Sequence, residues 1–182
     1  LDRVIDKLRE DKIGLIVFAG NAYTQMPITT DGVSAKMFLN EISTNMVPSQ
    51  GTAIGSAIKL AMKSFKKNEK TQKAIIIITD GENHEDDAVA MAKEAKEKGI
   101  QVNVVGMGTV RGSQIPLENG QLMKDNDGNV VTTRLNETMA KDIAIAGGGL
   151  YVSGNSTDAV KILDEQLQKL AKTELETTVY SA

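Results

Sequence analysis

The chain has 182 residues, of which 41% are hydrophobic and 25% are charged, and its formal net charge is −3. This length and composition are ordinary for one soluble globular domain, and the small acidic excess argues against a basic nucleic-acid footprint. The absence of cysteine and tryptophan excludes disulfides, thiolate catalysis and cysteine-bound zinc, and disfavours aromatic platforms for bases or sugars.

The first half of the chain alternates apolar runs with helical patterns. Residues 1–10 carry apolar side chains at i, i+3, i+4 and i+7, which predicts an amphipathic helix of the kind that normally follows a strand. The β-branched run 13–18 predicts a strand, and 21–30 follows after a Gly-Asn turn, so we expect an antiparallel partner. Helices are predicted over 33–42 and 53–65.

The second half continues the alternation, with one polar interruption. Residues 111–136 have an alternating second half and an Asn-Asp-Gly turn, which predicts a surface β-hairpin. Residues 173–182 extend past the last predicted helix and are rich in β-prone residues. The predicted strands are 74–79, 100–105 and 150–153, and the predicted helices are 86–99, 136–149 and 156–172.

This order of elements predicts the fold class. Near-continuous apolarity in the runs 13–18, 74–79 and 100–105 suits strands that are covered on both faces, as in parallel sheets. Strands alternating with helices imply right-handed crossovers and an α/β sandwich. We therefore expect one α/β domain over residues 1–172, with a mostly parallel sheet and one antiparallel edge strand.

Several familiar site motifs are missing or incomplete. The chain has no phosphate-binding G-x-x-x-x-G-K-[ST] loop, and the glycines of 106–112 have the wrong spacing for a dinucleotide fingerprint. His84-Glu85 has no second histidine to complete H-E-x-x-H. Residues 125–129 lack the third acidic position and the distant glutamate of a calcium-binding EF-hand loop, so a hairpin turn is favoured there.

His84 is the one histidine of the chain and lies in its most acidic stretch. A serine nucleophile would require it as the base, yet the G-x-S-x-G elbow is absent. We therefore interpret His84 as a solvated loop residue rather than a catalytic base.

Asp80 and Thr52 together suggest a metal site. Asp80 directly follows a predicted buried strand, at the sheet edge where open α/β folds bind ligands. Thr52 lies at the start of the helix that precedes this strand, so its hydroxyl is expected at the same rim. A hydroxyl and a carboxylate suit Mg²⁺ or Mn²⁺. From spacing alone, a helix N-cap at Thr52 and a strand-end cap at Asp80 are slightly favoured over the metal site.

Four stretches in order, GLIVFAG, QGTAIGSAI, AIIIITDGENHE and GIQVNVVGMGT, resemble von Willebrand factor type A (VWA) domains. The stretches VFAGNAYTQMPITTD and DGNVVTTRLNE are closer still to the bacterial Bat, or aerotolerance-related, proteins. The resemblance implies a three-layer Rossmann-like sandwich with a metal-ion-dependent adhesion site (MIDAS), in which Thr52 and Asp80 match two of three ligand elements. The third, D-x-S-x-S, would follow a central strand upstream of Leu1. Metal binding is therefore expected to be weak or absent in these residues alone.

The resemblance also implies a function. MIDAS domains complete their metal shell with a carboxylate from a partner protein, so we expect a non-enzymatic interaction module, anchored in the bacterial inner membrane with its domain in the periplasm. Other Bat-family proteins are the expected partners, and 173–182 is expected to lead toward a membrane span. Residues 177–182, or a neighbouring chain, are candidates to fill the missing central strand. Two alternatives remain: a metal-dependent hydrolase using Asp80 with Glu82 or His84, and a metal-independent assembly domain.

Overall fold

The computed structural model of the protein describes residues 2–8, 10–42, 52–67, 70–80, 87–114, 117, 120–122, 124, 127–130 and 132–179. In these residues helices and strands alternate along most of the chain, as the sequence predicts. The helices are α1 (Asp2–Lys7), α2 (Gly32–Asn40), α3 (Ile54–Ser64), α4 (Ala88–Glu97), α5 (Glu137–Ala146) and α6 (Ala159–Val179). The strands are β1 (Ile13–Phe18), β2 (Ala22–Thr29), β3 (Lys73–Thr79), β4 (Ile100–Gly106), β5 (Ser113–Gln114), β6 (Thr132–Thr133) and β7 (Gly148–Ser153).

The centre of the fold is a parallel sheet in the order β3-β4-β7. Strand β3 runs in register with β4 from Lys73 opposite Ile100 to Thr79 opposite Gly106. Strands β1 and β2 form a separate antiparallel pair, which confirms the predicted hairpin partner. A third pair, β5 with β6, is antiparallel, in agreement with the surface hairpin predicted there.

Helices cover the parallel sheet on both faces, which makes three layers. On one face, Ile77 and Val104 pack with buried residues of α3, α4 and α5, including Ile58 and Ile143. On the other face, Ile76 and Ile78 pack against a cluster formed by Val105, Val152, Ala159 and Leu163. Because successive strand residues point to opposite faces, the isoleucine run of β3 supplies both layers.

Helix ends follow the local chemistry of the sequence. Asp87 begins α4 by accepting a hydrogen bond from Ala90 N at 3.0 Å, and Gly99 follows the helix with φ +76°, the left-handed conformation that glycine favours. Asp31 begins α2 by accepting from Val33 N and Ser34 N. A hydrogen bond from the Ser34 hydroxyl holds the pKa of Asp31 below its ordinary value.

The last helix is longer than predicted. The predicted end at residue 172 is wrong, because α6 continues to Val179. Lys, Glu and Leu residues over 172–176 are good helix formers, and extending a helix adds a hydrogen bond for each residue fixed. These terms outweigh the β-preference of residues 177–179, which therefore do not supply a strand.

The structure also differs from the sequence prediction in the burial of β3. Ile75, Ile76 and Ile78 are only half-buried, whereas Val102 and Val104 of β4 have 0% of their surface exposed. Strand β4 lies between two strands, whereas among the described residues the outer edge of β3 faces a cleft. The apolar run predicted a strand correctly but not its open edge.

Candidate functional site

The carboxyl ends of the parallel strands form one rim of the molecule. Met107 N, directly after β4, donates to Thr79 O at 2.8 Å, and Gly154 N, directly after β7, donates to Gly106 O at 2.8 Å. These backbone hydrogen bonds therefore join the ends of neighbouring strands and hold the residues that follow them in place. Open α/β sheets bind their ligands at this edge.

Strand β1 ends at the same rim. Ala53 N, which precedes α3, donates to Ala19 O at 2.6 Å and so joins the end of β1 to the start of α3. Helix α3 then leads back along the sheet to the start of β3. Strands β1 and β3 consequently run in the same direction and both end near Thr52.

A cleft of about 670 Å³ separates β1 from β3. Every residue of 13–18 and every residue of 74–80 lines it, so the cleft runs along the whole length of both strands. Among the described residues, β1 pairs with β2 alone and β3 with β4 alone. Both facing strand edges therefore present backbone donors and acceptors toward the cleft, as sheet edges do.

Thr52 lies at the mouth of this cleft and is half-buried. The alternative interpretation of Thr52 as an N-cap is wrong, because the N-cap position of α3 is occupied by Ala53, which offers no side-chain hydrogen bond. Alanine is a poor capping residue. The Thr52 hydroxyl therefore lies beside a helix start without serving as its cap.

Asp80 lines the same cleft and is exposed. The preceding residue, Thr79, is buried, with 6% of its surface exposed. An exposed carboxylate avoids the cost of burying an unpaired charge. Asp80 is thus available to a ligand that enters from the rim.

The structure brings Thr52 and Asp80 to one cleft, and they supply two oxygen ligands of the hard type that Mg²⁺ and Mn²⁺ prefer. Glu82 and His84 lie outside the described residues. Within the described part of the chain, no group of three or more His, Cys, Asp or Glu side chains could hold a metal. The oxygen donors of Thr52 and Asp80 therefore suit Mg²⁺ or Mn²⁺, but two donors do not complete the coordination shell of either ion.

The family model for the von Willebrand factor type A domain matches residues 1–144. The chain belongs to the von Willebrand factor type A family. The VWA fold explains the central parallel sheet, the covering helices and the position of the rim at the carboxyl ends of the strands.

Two solved structures are similar over nearly the whole domain. One is the conserved hypothetical protein BatB from Bacteroides thetaiotaomicron, at 53% identity and TM-score 0.90, covering 94% of this chain and 84% of that one. The other is an aerotolerance-related membrane protein from Bacteroides fragilis, carrying multiple mutations to serine, at 50% identity and TM-score 0.85, covering 92% and 86%. The domain is therefore a VWA domain of the Bat type.

A further relative is an uncharacterized protein of Borreliella burgdorferi, 27% identical over 155 residues, which covers 83% of this chain and 44% of that protein. The VWA domain thus spans less than half the length of this relative. Among the described residues, no helix combines the length and the apolar character needed to cross a bilayer.

Proposed function

We propose that this VWA domain is a protein–protein interaction module of a bacterial envelope complex, which binds partners through a divalent metal at its rim. The observation that carries the proposal is the convergence of Thr52 and Asp80 on one cleft at the carboxyl ends of β1 and β3. These are the two positions that match the second and third ligand elements of a MIDAS. The ion is Mg²⁺ or Mn²⁺, because both ligands are hard oxygens.

The remaining metal ligands come from other segments. Mg²⁺ prefers octahedral coordination, so Thr52 and Asp80 leave most of its shell to water in these residues alone, and binding there is weak or absent. The family pattern supplies a D-x-S-x-S element after a central strand, and a strand in the cleft between β1 and β3 would end beside Thr52 and Asp80. A carboxylate of the partner then completes the shell.

The cellular setting follows from the relatives. The similar Bacteroides fragilis protein is described as an aerotolerance-related membrane protein, and the domain is about half as long as the relatives from Borreliella burgdorferi and Nocardia farcinica. We propose that segments beyond these residues, including one that follows 173–182, anchor the domain in the inner membrane and leave it in the periplasm. Other Bat-family envelope proteins are the proposed partners.

A metal-dependent hydrolase is one alternative. It would place a general base, Glu82 or His84, beside a metal-bound water held by Asp80. Both candidate bases lie outside the described residues, and loss of turnover in His84→Ala would be its signature. A metal-independent assembly domain is the other alternative, and it predicts the same partner binding in the presence of a chelator.

A calorimetric titration with Mg²⁺ tests the proposal on the protein with its natural upstream segment. We expect saturable binding that Asp80→Ala abolishes and Thr52→Ala weakens, because each substitution removes one ligand. Asp142→Ala is the matched control, since Asp142 is exposed on α5 and does not line the cleft. Unchanged binding in Asp80→Ala would refute the metal rim, and chelator-resistant partner binding would favour the metal-independent alternative.

A further inference from the structure

A second cavity lies at the opposite edge of the sheet from Asp80. Its volume is about 480 Å³, and its lining includes Lys73 at the start of β3 and Ile100 at the start of β4. The ends of α3 and α4 form its walls, through Lys63 and Lys98. We call this cavity the lysine groove.

The groove concentrates positive charge in an acidic protein. Among its described lining residues one is an acid, Glu94, whose carboxylate pairs with Lys98 at 2.9 Å, whereas the whole chain has a net charge of −3. A cleft lined by one sign of charge focuses its field and attracts ligands of the opposite sign. The lysines that line it are Lys59, Lys63, Lys66, Lys67, Lys73 and Lys98.

Four of the lining lysines have no counter-charge among the residues that the structure describes. Lys59, Lys63, Lys66 and Lys67 are exposed, and none of them forms an ion pair with another described residue. A favourable interaction with the helix dipole accounts for Lys63 in the last turn of α3. It does not account for Lys59, which lies one turn earlier.

The groove also has an apolar floor. Met62 and Phe65 of the α3 segment are half-buried and line it, together with Ile100, which is 4% exposed. Lysine stems add further apolar surface while their ammonium groups remain in water. The combination of an apolar floor and cationic walls resembles peptide-binding grooves more than a uniformly solvated helix end.

We propose that the lysine groove is a docking site for an acidic segment of a partner protein, in which an apolar side chain is flanked by carboxylates. The apolar side chain contacts Met62 and Phe65, and the carboxylates contact the ammonium groups of the walls. A flat anionic bilayer meets lysines that protrude but does not fill a concave floor. Nucleic acid is disfavoured because aromatic residues make up 3% of the chain and its net charge is negative.

This docking site is independent of the metal rim. The two lie at opposite ends of β3, one beside Lys73 and the other beside Asp80. Loss of metal binding therefore leaves the groove intact, and loss of the groove leaves the rim intact. A domain with both sites is able to contact two partner segments at the same time.

Fluorescence anisotropy with a labelled synthetic peptide tests the proposal. The probe has a central phenylalanine with three acidic residues on each side, and it is titrated with the 182-residue chain in buffer containing a chelator. We expect saturable binding whose affinity falls as salt is added. The double variant Lys59→Glu/Lys66→Glu should lower the affinity by about tenfold or more, because it replaces two attractive charge pairs with repulsive ones. Lys59→Gln/Lys66→Gln should weaken binding less.

The matched control is Lys7→Glu/Lys161→Glu, which changes the net charge equally at exposed positions outside the groove. It should retain wild-type affinity, and circular dichroism should report the same fold for all variants. Equal weakening in the control would reduce the effect to net charge and overturn the proposal. So would equal affinity for a probe with glycine at its centre, or binding to anionic phospholipid vesicles without binding to the peptide.

Discussion

Gly149 lies where β7 passes close to β4. A Cβ atom at this position would overlap the carbonyl oxygen of Val102 and crowd Oδ1 of Asn103. Asn103 is fully buried, and this Oδ1 accepts a hydrogen bond from Leu150 N at 2.9 Å. The glycine thus permits a close strand approach, and the buried amide of Asn103 is satisfied at both atoms, because its Nδ2 donates to Gln101 Oε1 at 3.1 Å.

We predict that Gly149→Ala lowers the free energy of unfolding by about 1–3 kcal/mol, the usual cost of an overpacked position. Chemical denaturation of the purified domain measures the change. Gly32→Ala is the control, because a Cβ there has no heavy atom within 4 Å. Equal stability of the Gly149 variant and the wild type would contradict the close packing of β4 and β7.

The sequence predicted where the rim residues lie along the chain but not their environments. Asp80 follows strand β3 as predicted, yet the pattern did not show that Asp80 is exposed while the neighbouring Thr79 is buried. Thr52 was placed correctly near the start of α3, yet one residue decides whether a side chain caps a helix, and the cap position is Ala53. Such differences depend on tertiary geometry that a linear pattern does not encode.

Helix α5 distinguishes a core position from a surface position within one element. Ile143 is completely buried among the residues that pack on the parallel sheet, whereas 71% of the surface of Ile145 is exposed. Residues two positions apart on a helix lie on different faces. The same side chain is therefore expected to contribute very differently to stability at the two positions.

We predict that Ile143→Ala lowers the free energy of unfolding by about 2–5 kcal/mol, through lost apolar contacts and the cavity left behind. Ile145→Ala, its matched control, should change it by no more than about 0.5 kcal/mol, as for a typical surface substitution. Denaturant unfolding of both variants makes the comparison. Similar losses in the two variants would contradict the orientation of α5.

The elements themselves were largely predictable from the sequence. The strand 13–18 was predicted with the bounds that the structure has, and 74–79 and 100–105 each differ from theirs by one residue. These runs are short and rich in β-branched residues, and glycine lies within two residues of an end of each, which favours strands over helices. Helix α6 was predicted too short, because its end carries no glycine or proline stop signal.

At the scale of the whole molecule, the cleft between β1 and β3 relates the fold to the site. Its walls are two strands that run in the same direction, and its mouth holds Thr52 and Asp80. The sequence predicted the apolar run of β3 but did not reveal its half-burial, because burial of a strand edge depends on the neighbour beside it.

The two ends of the sheet differ in charge and chemistry. The Asp80 rim offers oxygen ligands, while the lysine groove offers ammonium groups around an apolar floor. Opposite ends of one rigid sheet are well suited to hold two partner segments apart. We propose that the Bat-type VWA domain connects two partner segments, one through a metal-dependent end and the other through a salt-sensitive end.

Paramagnetic broadening by Mn²⁺ tests the metal-binding rim directly, because it locates a bound ion relative to the backbone amides. The measurement uses amide NMR spectra of the full-length protein. We expect substoichiometric Mn²⁺ to broaden the signals of Thr52, Ala53 and Asp80 first, to leave that of Lys98 in the lysine groove sharp, and to lose this selectivity in Asp80→Ala. Selective broadening elsewhere, or the same broadening in Asp80→Ala, would contradict a metal-binding rim at the carboxyl ends of β1 and β3.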